Sequence, residues 1–316
     1  MPELPDITVY VEHLERRLVG AELRNVRIVS PNLLRTFEPA LEVTLGLAAR
    51  SVRRVGKRIA IELDQEIWLV LHLMISGRLH WAPAVLAGPR PKARRAAAMP
   101  APRPGALRGG KRALAAFEFS TGTLSLTEAS SKKRASLHVV RGAGALAALD
   151  PGGIEPMTAS PGPFRAALQR ENHTLKRALT DPRLVSGIGN SYSDEILHRA
   201  RLSPMRQTRQ LGDDEWARLH AATIGVLAEW TERLRSDCGD GFPERVTAFH
   251  DGMAVHGRYR QPCPDCGAPV QRIVYAENES NYCARCQTGG RLLADRALSR
   301  LLKGDWPRRL EDIEGD

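Results

Sequence analysis

The sequence predicts an α+β multidomain protein with a mainly β first half, a helical second part and a small cysteine module near the end. Three observations indicate this order. Apolar residues recur at helical spacing at the start of the chain and again after Pro163, and they alternate with period two in between. Four cysteines then follow in two closely spaced pairs. A length of 316 residues is typical of more than one domain.

The chain opens with a predicted amphipathic helix, which we expect to run from Asp6 to a stop at Gly20. One face of this helix carries apolar residues, namely Ile7, Val11, Leu14 and Leu18. That spacing indicates that the helix is packed against a core.

Pro2 and Glu3, just before this helix, are the most informative pair in the chain. Removal of Met1 would leave Pro2 as a secondary amine with a pKa of about 8, so that a useful fraction is neutral at pH 7. Such an amine attacks an aldehyde carbon to give an iminium, and the Glu3 carboxyl is a natural acid-base partner. The positive end of the helix is expected to disfavour protonation of the amine and to favour the carboxylate. Met-Pro-Glu also opens many unrelated proteins, so this pair alone does not establish catalysis.

Period-two segments follow the helix and predict strands up to about residue 150. They are Ile59, Ile61 and Leu63, then Phe117 and Phe119, and Leu124 and Leu126 across a turn at Ser120 to Thr123 that predicts a hairpin. Residues 82–112 interrupt this pattern with six prolines, eight Lys or Arg and no acidic residue, which is typical of a flexible basic loop. This loop either adds to nucleic-acid affinity or is a solvated insertion. Asp150-Pro-Gly-Gly153 marks a domain boundary, after which the sequence is helical to beyond Trp230.

A glycine-rich turn interrupts the helical part. Gly187 and Gly189 precede a helix with apolar positions at Tyr192, Ile196 and Ala200. Glycines there let backbone N–H groups approach an anion, and Asn190 and the positive helix terminus support the same function. We therefore interpret this segment as a phosphate-binding turn, although any tight turn before a helix has a similar pattern.

The cysteine module has the pattern C-x2-C-x16-C-x2-C. Its members are Cys263, Cys266, Cys283 and Cys286. This spacing predicts two tight turns that present four thiolates to one structural zinc ion, with no coordination position left for a substrate. Two disulfides or a redox pair are the alternatives. Cys238 lies outside the set and is expected to be an ordinary thiol.

Charge and composition agree with a nucleic-acid partner. Lys and Arg total 46 against 36 acidic residues, a formal net charge of +10, and such an excess favours phosphate binding, although RNA or an anionic surface would explain it equally well. The sequence has no run of 18 apolar residues and no charged-then-apolar leader. We therefore expect an intracellular protein that does not bind membranes. We also expect it to be cytoplasmic, nucleoid-associated and monomeric.

Together these elements closely resemble the Fpg/Nei family of DNA glycosylases. The resemblance also covers Val55-Gly56-Lys57-Arg58, interpreted as a strand, and His72-Leu73-Met74-Ile75-Ser76-Gly77. It implies an N-terminal β-sandwich with a leading helix (1–150), a helix-two-turn-helix DNA-binding domain (151–252) and a zinc finger (253–290). Residues 291–316 are expected to form a helical tail with Leu293 on its apolar face, for which the resemblance implies no function.

The resemblance also implies a reaction and a set of residues. Pro2 would attack C1′ of a damaged nucleotide while Glu3 helps to protonate the opening sugar, and β-elimination would then nick the strand. Lys57 would hold phosphates beside the lesion. His72 and Asn190 would contact phosphates, and Ile75 with Lys132 and Lys133 would lie where the flipped nucleotide leaves the duplex. The expected partner is damaged or abasic DNA.

Three departures from the family pattern change these expectations. Asn278, between Glu277 and Glu279, stands where the family has an arginine that supports δ-elimination, so cleavage is expected to stop after β-elimination. Ile75 replaces a methionine, with Met74 expected on the neighbouring side of the strand, and Lys132-Lys133-Arg134 replaces an Arg-x-Phe wedge. A weaker wedge favours distorted, abasic or single-stranded substrates, because unstacking a base costs a few kcal/mol. Asp6 stands where the family usually has glutamate.

Two hypotheses from other functional classes stay open at this point. A non-catalytic, zinc-dependent DNA-binding protein of the same fold would explain the altered wedge and finger, but it leaves the intact Pro2-Glu3 pair without a reason. An RNA-associated zinc-ribbon protein would explain the cysteines and the charge, but it leaves Pro2, Lys57 and the glycine-rich turn unexplained.

Overall fold

The computed structural model describes residues 1–84, 110–244, 250–275, 278–294 and 307–312, with only the backbone of Tyr275 and Asn278. Most of the predicted basic loop at 82–112, the residue Glu277 and most of the predicted tail therefore lie outside the described residues. Among those that are described, no helix is long and apolar enough to cross a membrane.

The leading helix α1 spans Leu4–Leu18 and begins two residues earlier than predicted. Glu3 is its N-cap, and the backbone N–H of Glu3 donates to Oδ2 of Asp6 at 2.8 Å, which closes the first turn. Ile7, Leu14 and Leu18 are completely buried. The predicted apolar face therefore packs into a core.

The N-terminal part is a sandwich of two four-stranded antiparallel sheets. One sheet has the order β1-β6-β7-β5 and the other β2-β3-β4-β8. The strands are β1 (Leu23–Ile28), β2 (Ala49–Val55), β3 (Arg58–Leu63), β4 (Ile67–His72), β5 (Gly77–Pro83), β6 (Ala113–Phe119), β7 (Gly122–Glu128) and β8 (Ser136–Arg141), and helix α2 (Gly142–Ala147) follows. The inward residues of both sheets and the apolar face of α1 form one core. The predicted hairpin between Phe117 and Leu126 is β6–β7.

Two segments that we interpreted as strand are turns. Gly56 and Lys57 form the two-residue connection between β2 and β3, with Gly56 at φ +59°. Residues 73–76 connect β4 to β5, so Met74 and Ile75 do not lie on opposite sides of a strand, and Met74 has φ +51°. At Gly56 the antiparallel pairing of β2 with β3 requires the chain to reverse. At residues 73–76 the chain instead passes from the sheet that contains β4 to the sheet that contains β5.

The middle of the chain is helical, as predicted. Its helices are α3 (Pro161–Gln169), α4 (Leu175–Thr180), α5 (Asn190–Arg199) and α6 (Asp213–Cys238). They enclose a second core, to which Tyr192, Ile196 and Ala200 of α5 contribute. Leu4 of α1 also packs into this core, so the first residue of the leading helix joins the sandwich to the helical part.

The last part is a small finger built from β9 (Val270–Tyr275), β10 (Asn278–Cys283) and the short helix α7 (Ala284–Thr288). The predicted tail helix is wrong at its beginning, because Arg291 pairs with Arg309 in a β-bridge. Leu293 is buried in the core of the finger together with Leu310. Burial of these two side chains in the finger explains why the segment from Arg291 starts as extended chain and not as a helix.

Candidate active site and metal centre

Pro2 and Glu3 are both buried where α1 meets the start of α5. The carboxylate of Glu3 accepts three backbone hydrogen bonds from that second helix: from Gly189 at 2.6 Å, from Ser191 at 2.9 Å and from Tyr192 at 3.3 Å. These N–H groups are the unpaired donors at a helix N-terminus, where partial positive charge favours an anion.

This arrangement corrects our interpretation of the glycine-rich turn. We predicted that its N–H groups bind a phosphate, but the anion that they hold is the carboxylate of Glu3. A buried carboxylate of the same chain needs such donors, because burying it without hydrogen bonds would be costly. Asn190 is half-buried beside the carboxylate and stays a predicted DNA contact.

The two glycines allow this close approach. A Cβ atom on Gly189 would lie 2.6 Å from the carboxyl carbon of Glu3 and 2.8 Å from Nζ of Lys57. Gly187 has φ +79°, and its Cβ would lie 2.8 Å from Cβ of Leu4. The carbonyl of Gly187 also accepts the N–H of Leu4 at 2.9 Å. Neither position has space for a larger residue.

Lys57 brings a cation to the same point from the β2–β3 turn. Burial lowers the pKa of Lys57, and the nearby Glu3 carboxylate opposes this shift. Burial likewise lowers the pKa of the Met1 amino group. The site therefore combines a carboxylate held by backbone donors with two nitrogen groups that are easier to deprotonate than usual.

A cleft of about 750 Å³ opens from this point between the sandwich, the helical part and the finger. It is lined by Met1, Lys57, Lys176, Asn190, Glu279 and Ser280 among others. A cleft of this size, with cations and a helix terminus on its walls, can hold an anionic ligand.

Sequence reasoning missed Lys176 and Asp194, which organise one wall of the cleft. Nζ of Lys176 lies 2.7 Å from the carbonyl of Asn190 and 2.6 Å from Oδ1 of Asp194. Asp194 is buried and also accepts Oγ of Ser280 at 3.1 Å and Nδ2 of Asn281 at 3.3 Å, so it attaches the finger to α5. Asp194 lies off the apolar face of α5 formed by Tyr192 and Ile196, so the sequence carried no signal that it is buried.

Asp6 differs from Glu3 although both are almost completely buried. Its Oδ1 atom has no hydrogen-bond partner among the described residues, and burial raises the pKa of Asp6 to about 7. Asp6 also lines a second cavity of about 650 Å³ with Asp237, Phe242, Glu244 and His250 among others.

The other predicted DNA contacts lie on the sandwich. His72 is half-buried at the end of β4, opposite Arg58, and burial together with Arg58 and Lys57 lowers the pKa of His72 to about 4. Ile75 is 57% exposed in the β4–β5 turn. Lys132 and Lys133 lie in the β7–β8 loop, where Nζ of Lys133 donates to the carbonyl of Glu128.

The finger position that differs from the family pattern lies on β10. Nothing is described of the Asn278 side chain, but the carboxylate of the neighbouring Glu279 lies 3.7 Å from the Arg272 guanidinium. The charge of Arg272 therefore compensates part of the repulsion that we expected between Glu279 and a phosphate.

The four predicted cysteines converge on one point. Their sulfur atoms lie within 4.8 Å of one another, with 3.9 Å between Cys263 and Cys286 and 3.4 Å between Cys266 and Cys283. Four thiolates at about 2.3 Å from a zinc ion would be about 3.8 Å apart, so the set fits tetrahedral zinc, whereas disulfide sulfurs lie about 2.05 Å apart. This is a structural zinc site. Cys238 is remote from it, with Sγ 3.3 Å from Nε2 of His13.

Comparison with known families identifies three consecutive regions. Residues 1–128 match the formamidopyrimidine-DNA glycosylase N-terminal domain, residues 152–237 the formamidopyrimidine-DNA glycosylase H2TH domain, and residues 260–289 the zinc finger found in FPG and IleRS.

Similar proteins agree with these matches. The formamidopyrimidine-DNA glycosylase of Thermus thermophilus is 32% identical over 297 residues, covering 92% of this chain and all of that one. An uncharacterized formamidopyrimidine-DNA glycosylase-like protein of Mycobacterium tuberculosis is 41% identical over 129 residues, which is 41% of this chain and 80% of that protein. Among solved structures, Lactococcus lactis Fpg in complex with abasic-site DNA has a TM-score of 0.73 at 24% identity, over 90% of this chain and 99% of that one.

Proposed function

The chain belongs to the formamidopyrimidine-DNA glycosylase family of DNA repair proteins, and from that premise we propose that it removes damaged bases through a Schiff base on Pro2 and then nicks the strand by β-elimination. The observation that supports this most directly is the buried Pro2-Glu3 pair at the start of α5, beside Lys57 and an open cleft. In this proposal residues 1–150 supply the nucleophile, 151–252 grip DNA and 253–290 form the finger.

The first step needs Pro2 as a free amine, so Met1 must be removed. The amine attacks C1′ of the damaged nucleotide, Glu3 helps to protonate the opening sugar oxygen, and the base leaves as the iminium forms. Three N–H donors hold the Glu3 carboxylate in place, so that it is already oriented before the reaction begins.

The second step uses the iminium as an electron sink. It acidifies the C2′ hydrogens, and loss of one of them expels the 3′ phosphate. Lys57 would hold the adjacent phosphates, with His72 and Asn190 as further contacts. Because the pKa of His72 is about 4, His72 would act there as a neutral N–H donor.

DNA is the proposed partner. Lactococcus lactis Fpg, which has the same fold, was solved with DNA containing an abasic site and with DNA containing an oxidized pyrimidine. In this chain Ile75 is an exposed apolar residue in a turn, and the β7–β8 loop offers Lys132 and Lys133 instead of an aromatic wedge. We infer that abasic or unstacked substrates are cleaved faster than a damaged base in a stable duplex.

Borohydride trapping on abasic DNA tests the nucleophile. The protein with free Pro2 should form a covalent adduct, Pro2→Gly should retain part of it as a primary amine, and one added N-terminal residue should largely abolish it. Mass spectrometry of the N-terminus establishes that Met1 is absent from the trapped protein. Equal trapping by the extended protein would identify another nucleophile, with Lys57 the first to test.

Glu3→Gln and the reaction products test the remaining steps. Glu3→Gln should slow excision of a damaged base by about 10²- to 10⁴-fold and slow cleavage of a preformed abasic site much less, because only excision needs the sugar opened with the base attached. Gel electrophoresis should detect a 3′ unsaturated aldehyde rather than a 3′ phosphate. DNA binding with neither trapping nor cleavage would support a non-catalytic DNA-binding protein instead.

A further inference from the structure

His198 lies at the end of α5, and neither the proposed reaction nor the zinc ligand set uses it. The residue is only 3% exposed, and its Nε2 lies 3.3 Å from Sγ of Cys263. It follows Asp194 by four residues, so both side chains lie on the same face of the helix, and both reach the finger. The Tyr192 face packs into the helical core instead.

The chemistry of the contact between His198 and Cys263 determines which group donates the hydrogen bond. Four cysteine thiolates around one Zn²⁺ leave a net charge of about −2, which N–H donors stabilise. One donor is the backbone N–H of Cys286, 3.4 Å from Sγ of Cys283. A zinc-bound thiolate has no proton to give, so the hydrogen between Cys263 and His198 must belong to Nε2 of the imidazole.

Two further contacts attach the cysteine pairs to the same end of α5. Asp265, between the first two cysteines, lies 2.8 Å from the Arg201 guanidinium and 3.9 Å from Nε2 of His198. Gln287 donates to the carbonyl of Leu202 at 2.9 Å and accepts the N–H of Cys283 at 2.8 Å. The first and second cysteine pairs are thus both linked to residues 198–202.

We propose that His198 is a positioning residue of the zinc centre, which donates from Nε2 to the Cys263 thiolate, slows loss of the metal and holds the finger in register with α5. This role concerns the metal and the finger, and it does not depend on the proposed glycosylase reaction. It also connects the zinc centre to the cleft, because the same helix holds Ser280 through Asp194 and Glu3 through its first N–H groups.

The test measures the rate at which the full-length zinc protein transfers its metal to a chromogenic chelator. His198→Phe keeps a ring of similar size without the N–H donor, and it should release zinc about 10- to 100-fold faster than the unchanged protein. His198→Gln, which keeps a side-chain donor, should fall between the two. The matched control is His220→Phe, because His220 is half-buried on α6 and its Nε2 contacts the carbonyl of Ala159 at 2.8 Å.

A second measurement needs no variant. Nitrogen-15 NMR of the full-length zinc protein should show His198 as the Nε2–H tautomer, and X-ray absorption should show four sulfur ligands and no nitrogen. An unprotonated Nε2, a nitrogen ligand on zinc, or equal zinc release by His198→Phe and the unchanged protein would each overturn the proposal.

Discussion

Two carboxyl groups in the first turn of the molecule, Glu3 and Asp6, are equally buried but have very different partners. Glu3 is 1% exposed and accepts three backbone N–H groups from α5. Asp6 is 2% exposed and accepts one, from the backbone of Glu3 itself, while its other oxygen has no partner among the described residues.

This contrast shows that burial alone does not determine what a carboxyl group can do. Burial penalises a charged carboxylate, and donors from a helix N-terminus offset that penalty. Asp6 lacks such donors, and its pKa is therefore raised to about 7. Within three residues the fold builds one carboxyl group that is satisfied as an acceptor and one that is easily protonated.

The largest effect is expected for Asp6→Asn, which should change how the free energy of unfolding depends on pH. The native pKa of about 7 exceeds the ordinary 3.8, so the native state binds more protons between these values and stability falls as pH rises from about 4 to about 7. The fall attributable to Asp6 is at most about 4 kcal/mol. Asp6→Asn should remove it, which denaturant unfolding at pH 4.5, 6 and 8 can measure.

The neighbouring charges define the control for this experiment. Glu3, Arg78 and the amino terminus all act on the pKa of Asp6. Arg78→Gln should therefore change the slope only slightly, because burial is the main cause of the shift. Identical pH profiles for the wild-type protein and Asp6→Asn would show that the pKa of Asp6 is not raised in the native protein.

The next largest effect is expected for Gly189→Ala, which should disturb the N–H donors around the Glu3 carboxylate. The new methyl group would meet the Glu3 carboxyl carbon at 2.6 Å, so the carboxylate or α5 must shift. A displacement of this kind is expected to lower excision by about 10²-fold and stability by about 1 to 3 kcal/mol. Single-turnover kinetics and denaturant unfolding measure the two quantities.

Gly212 offers a matched control, because it is the N-cap of α6 and a Cβ there would meet nothing within 4 Å. Gly212→Ala should leave excision unchanged. If Gly189→Ala were equally harmless, the position of the Glu3 carboxylate would not limit the reaction.

The smallest effect is expected for Tyr192→Phe. The backbone N–H of Tyr192 donates to Glu3, but its buried hydroxyl has no partner among the described residues. Removing an unpartnered hydroxyl loses no hydrogen bond, so stability should change by less than about 1 kcal/mol and excision should be unaffected. A loss of more than about 2 kcal/mol in thermal or denaturant unfolding would mean that the hydroxyl is bonded in solution.

Local patterns were enough to predict much of this structure. The face of α1 at Leu14 and Leu18, the β6–β7 hairpin and the cysteine cluster are each determined by residues close in sequence, through helical, period-two or ligand spacing. The resemblance to the family supplied the order of the domains.

What could not be predicted depends on long-range contacts. The glycine-rich turn indicated an anion site, but nothing near Gly189 in the sequence shows that the anion is a carboxylate 186 residues earlier. Lys57 was assigned to a strand through the resemblance to the family, whereas the antiparallel pairing of Val55 with Arg58 requires a turn there. The tail from Arg291 has helical spacing, and burial of Leu293 in the finger overrides it.

The pairing of Glu3 with Gly189 also sets an order of events during synthesis. At a translation rate of roughly 5 to 20 residues per second, Gly189 is added to the chain roughly 10 to 40 s after Glu3. Until α5 has been made, the donors that bury Glu3 do not exist, and the peptide bond after Met1 is open to an aminopeptidase. Once α1 and α5 meet, that bond is partly covered. We therefore expect Met1, whose removal the proposed nucleophile requires, to be cleaved more readily from the nascent chain than from the folded protein.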